Sequence, residues 1–144
     1  MISLILPYWM RQEAADVALA SIDRLYAGLD LEVIVVDDGS VIPFVSPCKA
    51  VDVRVITLPR KTIAKSPLAG WNAGVAAARG DIVILSCVEI VHEAPILAEL
   101  ANHVREIGPK GYVLASAWCP EEGSWHCHST VQPPFNPPGT GIGF

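Results

Sequence analysis

The chain has 144 residues, of which 51% are hydrophobic and 17% charged, and its formal net charge at pH 7 is −5. We expect one domain over residues 1–144, with an α/β core over about 1–118 and an irregular segment rich in Pro and Gly over 119–144. An acidic chain without a basic stripe is not expected to bind nucleic acid.

The N-terminal sequence carries no targeting signal. Its first apolar run, residues 2–6, is too short to span a membrane and lacks the basic start and cleavage site of a signal peptide. We therefore expect a cytoplasmic protein without a transmembrane segment. The 4 cysteines form no CxxC pair and fit no standard zinc finger, which predicts reduced thiols.

The first half of the chain predicts a strand, a helix and a second strand. Residues 2–6 form an apolar run that Pro7 is expected to end, since proline cannot donate to a central ladder. Residues 11–29 place apolar side chains at helical spacing. Residues 31–36 form a continuous apolar run, typical of a strand buried on both faces. This order predicts a right-handed parallel crossover.

The second half continues the alternation of strands and helices. Alternating polarity predicts a third strand nearer a sheet edge, and Ser66 and Pro67 are expected to begin the second helix. Glycines 70 and 74 in that helix indicate either a close approach to the sheet or to a ligand, or plain tight packing, which is the favoured explanation. The predicted elements are a strand at 51–58, a helix at 66–79, a strand at 82–85, a helix at 93–107 and a strand at 112–118.

Carboxylates stand just beyond buried strands. Asp37 and Asp38 follow the second strand and begin an Asp-Asp-Gly-Ser turn (the DDGS turn, residues 37–40), and Glu89 follows the fourth. Open α/β sheets bind ligands at the carboxyl edge of their strands, so these side chains are candidates for a site. The alternative is that the acidic residues only end strands and cap the next segment.

Several features of the sequence, in this order and at these separations, resemble the nucleotide-sugar-binding part of family 2 glycosyltransferases. They are the first strand ending at Pro7 and Tyr8, the DDGS turn, residues 69–74 opening into 77–81, and the strand that leads to Glu89. The resemblance implies a three-layer α/β/α GT-A fold, Rossmann-like, with a mostly parallel sheet. The chain is expected to be truncated at its C-terminus.

The resemblance also implies which residues bind a nucleoside diphosphate sugar, with UDP as the expected nucleotide. Asp38 would accept a hydrogen bond from the nucleobase, and the backbone at Pro7 and Tyr8 would bracket the base. Arg60 and Lys61 would contact base or phosphate, although a solvated basic loop is the alternative. The full set is Pro7, Tyr8, Asp37, Asp38, Arg60, Lys61, Asn72 and Cys87.

The family's metal motif, Asp-x-Asp, corresponds here to Cys87, Val88 and Glu89. The resemblance makes Glu89 the ligand of Mg²⁺ or Mn²⁺, because a carboxylate oxygen suits a hard cation. Cys87 departs from the pattern, since a thiol is a poor partner for such a cation. A structural glutamate at a strand exit is the alternative for Glu89.

The function implied is inverting transfer of a sugar to an acceptor hydroxyl, with the acceptor unidentified and the catalytic base expected beyond residue 144. The alternative is a non-catalytic, degenerate or truncated module that binds a nucleotide sugar or another protein. A receiver-type signalling domain is disfavoured, because its acidic pair should follow the first strand. The sequence leaves open whether the chain forms a homo-oligomer.

Overall fold

The computed structural model describes residues 1–59, 67–109, 111–115, 117–119 and 124–126. The chain divides into two compact units, Met1–Pro95 and Ile96–Phe144. The first unit contains β1 (Ile2–Tyr8), α1 (Gln12–Tyr26), β2 (Leu31–Asp37), β3 (Asp52–Thr57), α2 (Leu68–Ala77) and β4 (Ile82–Leu85). The second contains α3 (Leu97–Ile107), β5 (Ala117–Cys119) and β6 (Ser124–His126).

The sheet of the first unit has 4 strands in the order β3-β2-β1-β4, and all its pairs are parallel. β1 pairs with β2 from Ile2–Leu31 to Tyr8–Asp37, and with β4 from Ile2–Ile82 to Ile5–Leu85. The predicted parallel α/β sheet is therefore confirmed. Its strands all end at one edge, which we call the carboxyl edge.

Burial follows the position of each strand in the sheet. Every residue of β2 is buried, as its continuous apolar run predicted. β3 has no fully buried residue and is an edge strand of the sheet, as its alternating sequence predicted. The central strands β1 and β2 thus supply most of the core, including Leu4, Ile5, Leu6 and Val35.

Pro7 does not end β1, contrary to the prediction, because its missing N–H faces the side where pairing stops. The Tyr8 carbonyl accepts from Asp38 N–H on the β2 side, and the Ile5 carbonyl accepts from Ser86 N–H on the β4 side. Alternate residues of a parallel strand bond to alternate neighbours, so Pro7 faces β4. The register with β4 ends at Leu85, so Pro7 removes only the next bond of the ladder and none of those already formed.

The helices α1 and α2 cover opposite faces of the sheet. The crossover through α1 runs from β1 to β2, whereas the crossover through α2 runs back towards β4. Right-handed crossovers in opposite directions place their helices on opposite faces. A cluster of Ile5, Ile34 and Val36 packs against residues of α2, including Trp71 and Ala73. This arrangement confirms the three-layer architecture.

The glycines of α2 allow it to lie close to β1. A Cβ added at Gly70 would lie 3.0 Å from the Pro7 Cβ, and one added at Gly74 would overlap the Ile5 side chain. The close approach indicated by these glycines is therefore to the sheet. Glycine at these two positions lets the helix pack close to the strand. This packing offsets the cost of glycine in helix propensity.

Several element boundaries differ from those predicted. α1 ends at Tyr26, two residues before Gly28 with its φ of +88°, and α2 ends at Ala77 because Ala78 is extended. β3 is shorter by a residue at each end. The capping role predicted for Ser66 lies outside the described residues.

In the second unit, α3 begins at Leu97 rather than at residue 93, since Pro95 disfavours helical geometry in the residue before it. It ends at Ile107, and Gly108, which follows, has a φ of +85°. The predicted strand at 112–118 is only partly confirmed: residues 111–115 have no regular structure, whereas β5 begins at Ala117 and pairs antiparallel with β6. A short apolar run alone does not fix a strand, because it also needs a partner.

Candidate functional site

The strand order reverses between β1 and β4, and this places a candidate site at their carboxyl ends. The chain leaving β1 crosses towards β2, whereas β4 lies on the other side of β1. In open α/β sheets, ligands bind in the crevice at such a reversal. We call the segments that follow these two strands, residues 9–11 and 86–89, the β1/β4 exit.

Asp37, the last residue of β2, holds the loop that follows it. Its side chain is buried, with Oδ1 accepting from Ser40 N–H at 2.8 Å and Oδ2 accepting from Phe44 N–H at 3.1 Å. These bonds satisfy backbone donors that the turn would otherwise leave unpaired. Asp37 therefore shapes the DDGS turn, as the structural alternative for this motif predicted.

Asp38 continues the pairing of β2 with β1 by one residue. Its N–H donates to the Tyr8 carbonyl at 2.9 Å, and the residue is half-buried at the carboxyl edge. Asp38 and Glu89 both follow the carboxyl ends of parallel strands, as predicted. The two residues on which the predicted site depends thus lie on the same edge of one sheet.

Tyr8 contributes its side chain to the core. Its ring is 2% exposed and packs edge-on against Phe44 with centroids 5.0 Å apart. Burial and the nearby Asp37 raise the pKa of the Tyr8 phenol. A hydrogen bond from the backbone of Arg11 lowers that pKa, but by less. The phenol therefore stays protonated, and backbone groups are what Tyr8 can offer to a ligand.

The loop after β1 is tied to the DDGS turn. Met10 N–H donates to Ser40 Oγ at 3.0 Å, and Met10 has a φ of +53°, which is strained for a non-glycine residue. Strain of this kind persists where the surrounding structure determines it. This link was not predicted, because Met10 carries no sequence signal for a left-handed backbone.

On the other face, α2 is tied to the end of β4. Trp71 Nε1 donates to the Ser86 carbonyl at 3.2 Å, while Gly70 lies against Pro7. Asn72 is the next residue of α2 and is exposed. Helix α2 is thus fixed beside the residues that leave β1 and β4.

At the β4 end, Cys87 is exposed, and Glu89 forms an ion pair with a residue that the sequence did not single out. Partial desolvation of the sulfur and the neighbouring Glu89 raise the pKa of the Cys87 thiol, so it stays protonated at neutral pH. Glu89 Oε1 lies 3.3 Å from Arg11 Nε. Arg11 is recognisable only once the fold brings the ends of β1 and β4 together.

These residues fit a divalent metal only in part. Within the described ranges, no group of three or more His, Cys, Asp or Glu side chains is placed to hold a metal ion. Glu89 could supply one hard oxygen ligand, but that oxygen is paired with Arg11, and a protonated thiol is a poor ligand. Other ligands would have to come from the substrate or from water.

The segment after Glu89 is anchored to α1. Tyr26 Oη lies 2.6 Å from His92 Nδ1 and donates to the Ala94 carbonyl at 3.2 Å, while His92 N–H donates to Ser21 Oγ. Burial lowers the pKa of His92, so the imidazole is neutral at pH 7. These contacts fix the chain just beyond Glu89.

The opposite edge of the sheet holds a buried polar network around Glu32, which is 1% exposed. Ser3 Oγ donates to its carboxylate at 2.6 Å, and Arg79 donates to it from its backbone N–H and its guanidinium. Burial raises the pKa of Glu32, but these hydrogen bonds outweigh it and bring the pKa to about 2. Arg79 belongs to the motif at residues 77–81, and its role in this network is structural.

The structure therefore brings most of the predicted site residues to one edge. Asn72 lies on the adjoining helix α2, and Arg60 and Lys61 lie outside the described residues. Those at the carboxyl edge are Pro7, Tyr8, Asp37, Asp38, Cys87 and Glu89.

A parallel sheet covered on both faces, with acidic residues at its carboxyl edge, defines a GT-A-like α/β domain. The chain matches the family described as glycosyl transferase family 2 over residues 3–125, and it belongs to that family. No curated protein matches the chain.

Among solved structures, the chain is similar to S. aureus TarS, with a TM-score of 0.61 and 19% identity over 79% of this chain and 21% of that one. A structure of S. aureus TarS 1-349 gives a TM-score of 0.59 and 19% identity over 73% of this chain and 32% of that one. The chain thus spans less than a third of either TarS chain, and the likeness shows the fold alone. Within the described residues, no helix is long and apolar enough to cross a membrane.

Proposed function

We propose that this chain binds a nucleoside diphosphate sugar, with UDP as its nucleotide, at the carboxyl edge and contributes to sugar transfer. The observation that carries the proposal is the DDGS turn, in which buried Asp37 fixes the loop and Asp38 stands beside β1. Membership of glycosyl transferase family 2 supports the same reaction class.

In this proposal Asp38 accepts a hydrogen bond from the ring N–H of uracil, because a carboxylate is an acceptor only. The backbone at Pro7 and Tyr8 lies on the neighbouring strand and would bracket the base. Asn72 and Cys87 flank the edge from α2 and β4, and Arg60 and Lys61 follow β3 in sequence. Asp37 acts here by positioning the turn.

We propose Glu89 as the protein ligand if transfer uses Mg²⁺ or Mn²⁺. A hard cation bound with substrate phosphates needs only one or two protein carboxylates, and such an ion would neutralise charge on the departing diphosphate. Glu89 stands at the correct edge, which supports the assignment, whereas its pairing with Arg11 and the thiol of Cys87 weaken it.

The proposed transfer proceeds with inversion. A carboxylate base removes the proton of the acceptor hydroxyl, whose oxygen attacks the sugar carbon as the bond to the diphosphate breaks. That base is not among the residues assigned here, and the acceptor is unspecified. A cytoplasmic location remains a prediction from the sequence, and the oligomeric state stays open.

A second candidate is a non-catalytic module that binds the nucleotide sugar without transferring it. Cys87 in the metal motif and the ion pair of Glu89 with Arg11 favour it. This candidate predicts that Glu89→Ala leaves the affinity for UDP unchanged in Mn²⁺, whereas a metal ligand at Glu89 predicts weaker binding.

The test of donor binding is isothermal titration calorimetry with UDP, with and without Mn²⁺. We expect the wild-type chain to bind UDP and Asp38→Asn to weaken binding about 10-fold or more, because a neutral amide oxygen is a weaker acceptor than a carboxylate. Asp30→Asn is the matched control, since Asp30 pairs with the N-terminus at the opposite edge. The absence of heat with wild type in both conditions would refute UDP binding.

A further inference from the structure

We propose that Arg11 binds the diphosphate of the donor, exchanging its contact with Glu89 for the phosphate oxygens. This inference rests on the proposed function and adds a binding residue to it. The observation behind it is the ion pair across the β1/β4 exit, with Arg11 Nε 3.3 Å from Glu89 Oε1.

The position of Arg11 follows from the topology. It lies three residues after the end of β1, where α1 begins, and Glu89 follows β4 on the adjacent strand. The pair therefore bridges the place where the strand order reverses, which is where a ligand of this fold is held. A guanidinium there lies at the mouth of the proposed site.

The contact with Glu89 is easily exchanged. The Arg11 side chain is 66% exposed and that of Glu89 40% exposed, and an ion pair in such surroundings contributes little to stability. A diphosphate carries more than one negative charge, and its oxygens match the planar fork of a guanidinium in a bidentate manner. The ligand thus offers Arg11 a stronger partner than the carboxylate does.

The backbone around Arg11 favours the same ligand. Arg11 is the N-cap of α1, a helix of 15 residues, and no side chain caps its first turn. The N-terminus of a helix carries a partial positive charge that favours anions. The Ala15 N–H bond to the Arg11 carbonyl closes the first turn and fixes the residue that carries the guanidinium.

The test compares uridine with UDP by titration calorimetry on the full chain, in EDTA and in Mn²⁺. We expect Arg11→Gln to weaken UDP about 10-fold or more, while leaving uridine unchanged, since only UDP carries the phosphates. Arg11→Lys keeps the charge without the fork and should recover part of the loss. Arg24→Gln, at the other end of α1, is the matched control and should change neither affinity.

Glu89→Gln supplies an independent arm. Releasing Arg11 from its partner should raise UDP affinity in EDTA by up to about 5-fold, the scale of an exposed ion pair. An Arg11→Gln variant with the wild-type ratio of UDP to uridine affinity would overturn the role of Arg11 while leaving donor binding intact. If wild type binds neither uridine nor UDP, the proposed function fails, and this inference fails with it.

Discussion

Asp37 and Asp38 are adjacent in sequence, but they differ in burial and in the groups that they contact. Asp37 is buried, and both of its carboxylate oxygens accept hydrogen bonds from backbone N–H groups of the loop. Asp38 is half-buried at the carboxyl edge. The sequence shows an acidic pair and a turn. Only the geometry shows that Asp37 stabilises the turn and that Asp38 is the residue held at the carboxyl edge. A pair of this kind can therefore satisfy the structural and the functional interpretation together.

Glu32 gives a prediction at the scale of one residue. Its pKa is about 2 in the folded chain against an ordinary value of 4.5, so its stabilisation is complete above pH 4.5 and is lost as the pH falls through 2. The shift corresponds to about 3 kcal/mol. We expect Glu32→Gln to lower the free energy of unfolding by about this amount at pH 7 and by progressively less below pH 4.5.

Urea denaturation at several pH values measures this difference, and Glu93→Gln serves as an exposed control. Subtracting the variant from wild type cancels the titration of other carboxylates. A difference that stays constant between pH 5 and pH 2 would show that the Glu32 charge does not stabilise the fold.

At the scale of an element, the packing of α2 against β1 depends on Gly74. We expect Gly74→Ala to destabilise the protein by about 1–3 kcal/mol, although alanine has the better helix propensity, because the new methyl group overlaps Ile5. Urea denaturation of Gly74→Ala, Ile5→Ala and the double variant forms a double-mutant cycle. Relief of the overlap predicts that the double variant is more stable than the sum of its parts, and simple additivity would contradict the packing argument.

Elements whose identity depends on long local patterns could be predicted from the sequence. β2 and α1 were, because continuous burial and helical spacing are properties of the residues themselves. Pro7 could not be placed correctly, since whether its missing donor matters depends on where β4 stops. Of the strand expected at 112–118, residues 112–115 are not a strand and β5 begins at Ala117, because strand formation depends on a partner, which here is β6.

At the scale of the whole molecule, the sequence predicted which edge carries the candidate site but not all of its proposed members. Strand ends and acidic turns mark the carboxyl edge, so Asp38 and Glu89 could be found. Arg11 could not, because it becomes a neighbour of Glu89 only when β1 and β4 pair across intervening elements. Contacts between residues distant in sequence carry no local signal.

Ligand binding should stabilise the whole chain. UDP at about 100 times its dissociation constant adds about 2.7 kcal/mol to the free energy of unfolding, which raises the melting temperature by roughly 5–10 °C. Differential scanning fluorimetry with UDP, with inorganic diphosphate as the control lacking the base, measures this shift. An equal shift with both compounds would show that the base is not recognised.

The proline in β1 has an effect beyond its own strand. In a parallel ladder the carbonyl of Ser86 would accept the next bond from position 7, which has no hydrogen to give, and the indole of Trp71 donates to that oxygen instead. A hydrogen bond between two strands is thereby replaced by one from a helix side chain to a strand carbonyl. The ladder between β1 and β4 therefore terminates at Leu85 without an orphaned acceptor, and this termination is written into the covalent structure of an imino acid.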